Sequence, residues 1–103
     1  MFGQLMSMRV KAGRADDLPR VFDLLAQAEQ PDSGLVRTVV LHDRADPTRL
    51  YTVVVFESEE KARARESDPR RTAKLGEVQA LMGELLDGPP EFHDCDVLLD
   101  RTP

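Results

Sequence analysis

Tryptophan is absent from this chain, cysteine occurs once, and histidine occurs twice, at His42 and His93. A single cysteine, Cys95, cannot close an internal disulfide, and the chain reads as cytoplasmic. The opening Met1-Phe2-Gly3-Gln4 has no basic run followed by an apolar stretch, so no secretory signal is expected. No apolar run approaches the ~18 residues of a membrane span. Basic residues number fourteen against nineteen acidic ones, a net charge of −5 without a basic stripe, which argues against nucleic-acid binding. Gly13, Gly34, Gly76 and Gly83 stand alone, so no phosphate-cradling loop occurs, and no serine has a nucleophile-elbow context. A Rossmann unit for flavin or nicotinamide does not fit the length or the topology. No metal ligand set is expected either. The two histidines are far apart in sequence, and strand alternation turns Asp94 and Asp96 away from His93 and Cys95.

What remains is one domain, residues 1–103, with the patterning of a mixed fold. Phe2 to Val10 alternates as a strand, and Lys11-Ala12-Gly13 turns the chain. Asp16 and Asp17 suit a first helical turn, Pro19 is tolerated that early, and Leu18, Val21, Phe22 and Leu25 define one apolar face. Pro31-Asp32-Ser33-Gly34 ends that helix. Two β-rich runs, Leu35 to His42 and Leu50 to Phe56, read as an antiparallel pair. Ser58 is a good N-cap for the next helix. After Asp68-Pro69 a longer helix carries Leu75, Val78, Met82 and Leu85 as a narrow apolar seam, which Gly88-Pro89-Pro90 terminates. Glu91 to Leu99 reads as the last strand and Asp100 to Pro103 as a frayed tail. The order is βαββαβ, an α+β ferredoxin-like fold.

The two central strands are apolar on both sides. Leu35, Arg37, Val39 and Leu41 share one face of their run, and Val36, Thr38 and Val40 the other. In the neighbouring run, Tyr51, Val53 and Val55 oppose Leu50, Thr52, Val54 and Phe56. An antiparallel sheet with one wet face alternates apolar with polar, and two helices cover only one face. The expected cover for the other is a second copy of the chain, giving a homodimer through the sheet. The competing reading is that β-branched residues here reflect strand propensity alone.

The element order, the Glu57-Ser58-Glu59-Glu60 helix start, Asp68-Pro69-Arg70, and Gly88-Pro89-Pro90 before the last strand resemble the antibiotic biosynthesis monooxygenase family. The resemblance implies a dimeric α/β barrel, a pocket between each subunit's sheet and helices, and oxygenation without a cofactor. It departs at the positions that do the family's chemistry in aromatic polyketide pathways. Phe56 stands where a tryptophan is found there, Thr52 for an asparagine, Ala62 near a tyrosine, and Leu75 for an arginine. Arg65 replaces a histidine common among other members. The haem-degrading branch is matched least, because its tryptophan near Arg65, histidine near Leu75 and asparagine near Met6 are all missing.

Two function classes follow. In one, Phe22, Thr52, Phe56, Leu75 and Met82 shape a pocket for a small, mostly apolar, aromatic-like metabolite, oriented by Arg37, Arg65, Tyr51 or His93. A cofactor-free oxygenase then needs a base, a dry cavity and anion stabilisation, and His93 is the acid/base candidate because imidazole titrates near neutrality. In the other, the fold persists as a non-catalytic binding or stress-response module. Each residue also has a structural reading. His93 can be a hydrogen-bonded strand-end histidine, and Arg37 can pair with a carboxylate across the dimer. Arg65 can belong to a solvated helix face, Tyr51 can sit at a rim or interface, and Cys95 can be a packed thiol.

Overall fold

The computed structural model describes residues 1–103. Strands β1 (Phe2–Arg9), β2 (Leu35–His42), β3 (Arg49–Phe56) and β4 (Glu91–Asp96) form one antiparallel sheet in the order β2-β3-β1-β4. Helices α1 (Leu18–Ala28), α2 (Glu59–Glu66), α3 (Pro69–Thr72) and α4 (Leu75–Leu85) connect them. This is the ferredoxin-like α+β arrangement that the patterning predicts. No helix is long and apolar enough to cross a membrane.

Strand register decides which side chains meet the helices. β1 pairs with β3 as Phe2↔Phe56, Gln4↔Val54, Met6↔Thr52 and Met8↔Leu50, so these eight residues share one face. Leu50, Thr52, Val54 and Phe56 are all buried, which makes it the helix-covered face. β2 departs from simple alternation. A bulge lies between Leu35 and Arg37, which pair with Phe56 and Val55 in turn. The extra residue, Val36, moves Leu35 to the helix side, where it packs against the Phe2–Phe56 cluster. The expectation that Leu35 shares a face with Arg37, Val39 and Leu41 is corrected accordingly.

The region after β3 forms three helical pieces instead of two. Ser58 Oγ accepts from Lys61 N at 3.1 Å and caps α2, and Asp68 accepts from Arg70 N at 2.9 Å and caps α3. The helix expected after Asp68-Pro69 breaks at Ala73 and Lys74. Pro69–Thr72 carries no apolar side chain to draw it onto the sheet, and the packing seam begins only at Leu75.

The C-terminus also differs from the reading. β4 ends at Asp96, and Val97 N–H donates to Met1 O at 3.3 Å. A side chain at Gly3 would meet Val97 Cγ2 at 3.5 Å, so Val97 lies over the open face at Gly3. Gly3 is the register partner of Val55, which accounts for the burial of Val55 on an otherwise open face. Asp100 then ion-pairs with Arg37 at 3.4 Å. The tail therefore crosses the sheet from edge strand β4 to edge strand β2.

The apolar interior is not continuous. Val10, Leu18, Val21, Leu50, Val78 and Leu85 form one cluster, and Phe2, Val54, Phe56 and Ala62 form another. On β3 the residue between them is Thr52, buried and polar.

Candidate functional site

The break between the two clusters is a cavity of about 1020 Å3 between the sheet and the helices. That volume is at the upper end for small-molecule sites, enough for a multi-ring ligand. Its floor is Met6, Met8, Leu50, Thr52 and Val54 of the sheet, and its apolar walls include Phe22 and Leu25 of α1 and Val78 and Met82 of α4. The charged residues among its walls are Arg63, Arg65, Glu66, Arg71, Glu29 and Asp94.

Arg65 leaves α2 with its guanidinium 5.3 Å above the Phe56 ring, and Arg63 sits likewise 5.3 Å above Phe2. Arg65 forks onto Glu29, with Nε 3.0 Å from Oε2 and the terminal nitrogen 2.7 Å from Oε1. Burial alone raises the Glu29 carboxyl, but the Arg65 hydrogen bonds and the Arg65 and Arg71 charges overcome it and hold the group below its ordinary value. Arg63 reaches Asp94 at 2.7 Å and Glu66 at 3.1 Å. The Arg63 and Gln4 hydrogen bonds depress the Asp94 carboxyl. Arg71 is pushed below its ordinary value by burial, with the nearby Arg65 charge adding to the effect.

Of the residues singled out from the sequence, the structure brings Phe22, Thr52, Arg65 and Met82 together around the cavity. Phe56 faces the helices, but it is 1 % exposed and packs with Phe2, Val54 and Ala62. The ring thus lies behind the wall, under Arg65, and away from the expected neighbours Leu75 and Met82. Leu75 packs against the first cluster and is not among the lining residues.

Arg37, Tyr51 and His93 lie on the opposite face of the sheet. Arg37 is ion-paired with Asp100 of its own chain. Tyr51 Oη donates to Asp43 at 3.0 Å in the β2–β3 loop, whose turn Asp43 also caps by accepting from Ala45 N at 2.8 Å. His93 pairs in register with Leu5, so it projects to the open side with Cys95, which is exposed and not packed. The placement of His93 in the cavity is corrected. Alternation separates the two faces of β4, but only its register with β1 shows that Phe92 and Asp94 point inward. The other imidazole, His42, is hydrogen-bonded through Nε2 to Pro47 O at 2.6 Å.

The sequence reading missed Arg71, Glu29, Glu66 and Asp94. Arg71 was available as one of an adjacent arginine pair, but the pair gave no means of telling which member turns inward. No group of histidine, cysteine, aspartate and glutamate side chains converges as a metal site.

Comparison with known proteins agrees with this architecture. A family model described as antibiotic biosynthesis monooxygenase matches residues 1–74. No curated protein sequence matches. A structure named as a candidate antibiotic biosynthesis monooxygenase from Chloroflexus aurantiacus J-10-fl is similar at 22 % identity and a TM-score of 0.70, covering 98 % of this chain and 96 % of that one. A protein of unknown function from Nitrosomonas europaea is 18 % identical with a TM-score of 0.73, covering 99 % of this chain and 93 % of that one. A point mutant of MhuD with two manganese protoporphyrin IX molecules per active site is 20 % identical with a TM-score of 0.79, both chains covered in full.

Proposed function

This chain belongs to the antibiotic biosynthesis monooxygenase family, and we propose that it binds a small, mostly apolar, multi-ring metabolite in the cavity between sheet and helices. The observation that carries the reading is the interruption of the core: two apolar clusters enclose about 1020 Å3 of space with a floor and walls that are mostly apolar. A folded domain gains stability by filling such a space with side chains, so leaving it open supports a ligand role.

The cavity supports binding more strongly than proton abstraction. No imidazole lines it, and two of its three carboxylates, Glu29 and Asp94, are held below their ordinary values, which makes those two poor bases near neutrality. Oxygenation in this setting suits a substrate already ionised in solution, for which the protein supplies a dry cavity and anion stabilisation. The porphyrin bound by MhuD does not fit the residues present. Iron is held by histidine, cysteine or tyrosine, or by methionine together with histidine, and of these the walls carry only methionine.

The open sheet face supports a homodimer. Leu5, Val39, Leu41 and Val53 are each at least 36 % exposed there and form an apolar surface that a second copy would cover. The lone cysteine supports a reducing, cytoplasmic setting.

Titration with N-phenyl-1-naphthylamine, a neutral fluorescent apolar probe, tests the reading. Saturable binding of one probe per chain is expected. It should weaken in Met82→Trp, whose larger side chain crowds the cavity wall, while the urea midpoint stays close to that of the parent. Non-saturable binding, or an affinity unchanged in that variant, overturns the proposal. Oxygen uptake with a hydroxyanthrone then separates an oxygenase from a module that binds without turnover.

A further inference from the structure

We propose that Arg71 is a carboxylate-binding residue of the cavity, and that the ligand is an amphipathic anion with an apolar body and a carboxylate head. The inference rests on the reading of the cavity as a ligand site and specifies which chemical class it takes.

Three guanidinium groups line the cavity, and two are already occupied. Arg65 is forked onto Glu29. Arg63 is shared between Asp94 and Glu66, with Glu59 at 3.7 Å. The neighbouring Arg70, outside the cavity, is engaged by Asp68 at 2.6 Å and Asp32 at 2.9 Å. Arg71 alone of these four has no carboxylate within 4.0 Å, although Glu29 and Glu66 are near enough to act on it through space. It is half-buried, and a partly desolvated guanidinium without a partner is unfavourable unless something else accepts from it.

Formal charges at this end of the cavity balance, so the selection does not come from a positive potential. It comes from the unused, planar set of N–H donors, whose spacing matches the two oxygens of a carboxylate. Glu29 and Glu66 would repel an incoming anion less than free carboxylates, because Arg65 and Arg63 neutralise them. The apolar remainder of the cavity then takes the hydrocarbon body, with Phe22 and Met82 on its walls.

The test uses a matched pair of fluorescent probes, anthracene-2-carboxylate and anthracene-2-carboxamide. The carboxylate should bind roughly 10- to 100-fold more tightly than the amide, the size of one charge-assisted hydrogen-bonded pair. Arg71→Gln should lower carboxylate affinity to the level of the amide and leave the amide unchanged. Arg71→Lys, which keeps the charge but not the fork, should recover part of the difference. Lys74→Gln, at an exposed cation outside the cavity, should change neither. Urea midpoints close to the parent's confirm that each variant is folded. Equal affinity for the two probes, or an equal loss of both in Arg71→Gln, overturns the role of Arg71 while leaving the cavity as a binding site. Failure of both probes to bind overturns the cavity reading and this inference with it.

Discussion

Glu29 couples the stability of the fold to pH. It lies at the end of α1 with its carboxylate in the fork of Arg65, and both side chains are mostly shielded from solvent. Its folded pKa is depressed below the ordinary 4.5, so its contribution to stability is fully present above that value. The contribution is lost as pH falls through the lower, folded value. Glu29→Gln should cost about 1–3 kcal/mol at pH 6, the worth of hydrogen bonds to a charged group. The difference between Gln and the parent should shrink as urea unfolding is repeated at pH 4 and then pH 3; a constant difference would show that the ion pair is not its source. Phe56 makes a second prediction. Its ring is fully packed behind the cavity wall and supports Arg65 from below. Phe56→Ala should therefore cost about 3–5 kcal/mol in urea unfolding, as expected for an unfilled core site. Ligand affinity should fall only through the loosened Arg65.

At the scale of elements, turns fix where α1 and α2 stand over the sheet. Gly13, Gly34 and Gly88 all have positive φ, and Gly34, at +80°, is also crowded. A methyl group there would lie 2.8 Å from Lys61 Cβ on α2, whereas one at Gly13 would meet nothing within 4 Å. Gly13→Ala should cost about 1 kcal/mol from the left-handed backbone alone, and Gly34→Ala distinctly more. Equal urea midpoints for the two variants would refute the packing of the β2 entry against α2. Gly34 and the bulge that follows at Val36 together set the register that turns Leu35 inward. The β-α-β-β-α-β order was legible because strand and helix periods differ, and the caps Ser58 and Asp68 because they use local side-chain bonds. The bulge was not legible, since it depends on which residues of β3 face it.

For the whole molecule, the decisive surface is the open face of the sheet. Val53 projects from its middle strands and is 36 % exposed. The proposed dimer should scatter light as twice the 11.6 kDa chain at micromolar concentration. Val53→Asp would bury an unpaired carboxylate in the contact at a cost of several kcal/mol and should yield monomer or aggregate. Glu59→Lys, on an exposed helix face, should leave the mass unchanged. A parent protein that remains monomeric with a well-dispersed spectrum would refute the dimer. The C-terminal tail bears on this surface too, because Val97 and the Asp100–Arg37 ion pair occupy one end of it.

The sequence by itself determined the kind of elements, their order, and the two-sided apolar character of β2 and β3. These follow from local periodicity, from turn residues and from the few ways four strands and their helices can pack. Alternation along β3 also grouped Phe56 with Leu50, Thr52 and Val54, and the family resemblance pointed that group toward the helices, where it lies. Only the tertiary structure decided which face of β4 meets the cavity, sending Asp94 inward and His93 out. Only the tertiary structure separated Arg70 from Arg71, tying one to Asp68 and Asp32 and leaving the other at the cavity wall without a carboxylate. The physical reason is the same in both cases. Neighbouring residues carry the same local signal; Asp68 engages Arg70 locally, but Asp32 completes that pairing and β1 orients β4 from more than thirty residues away in the chain.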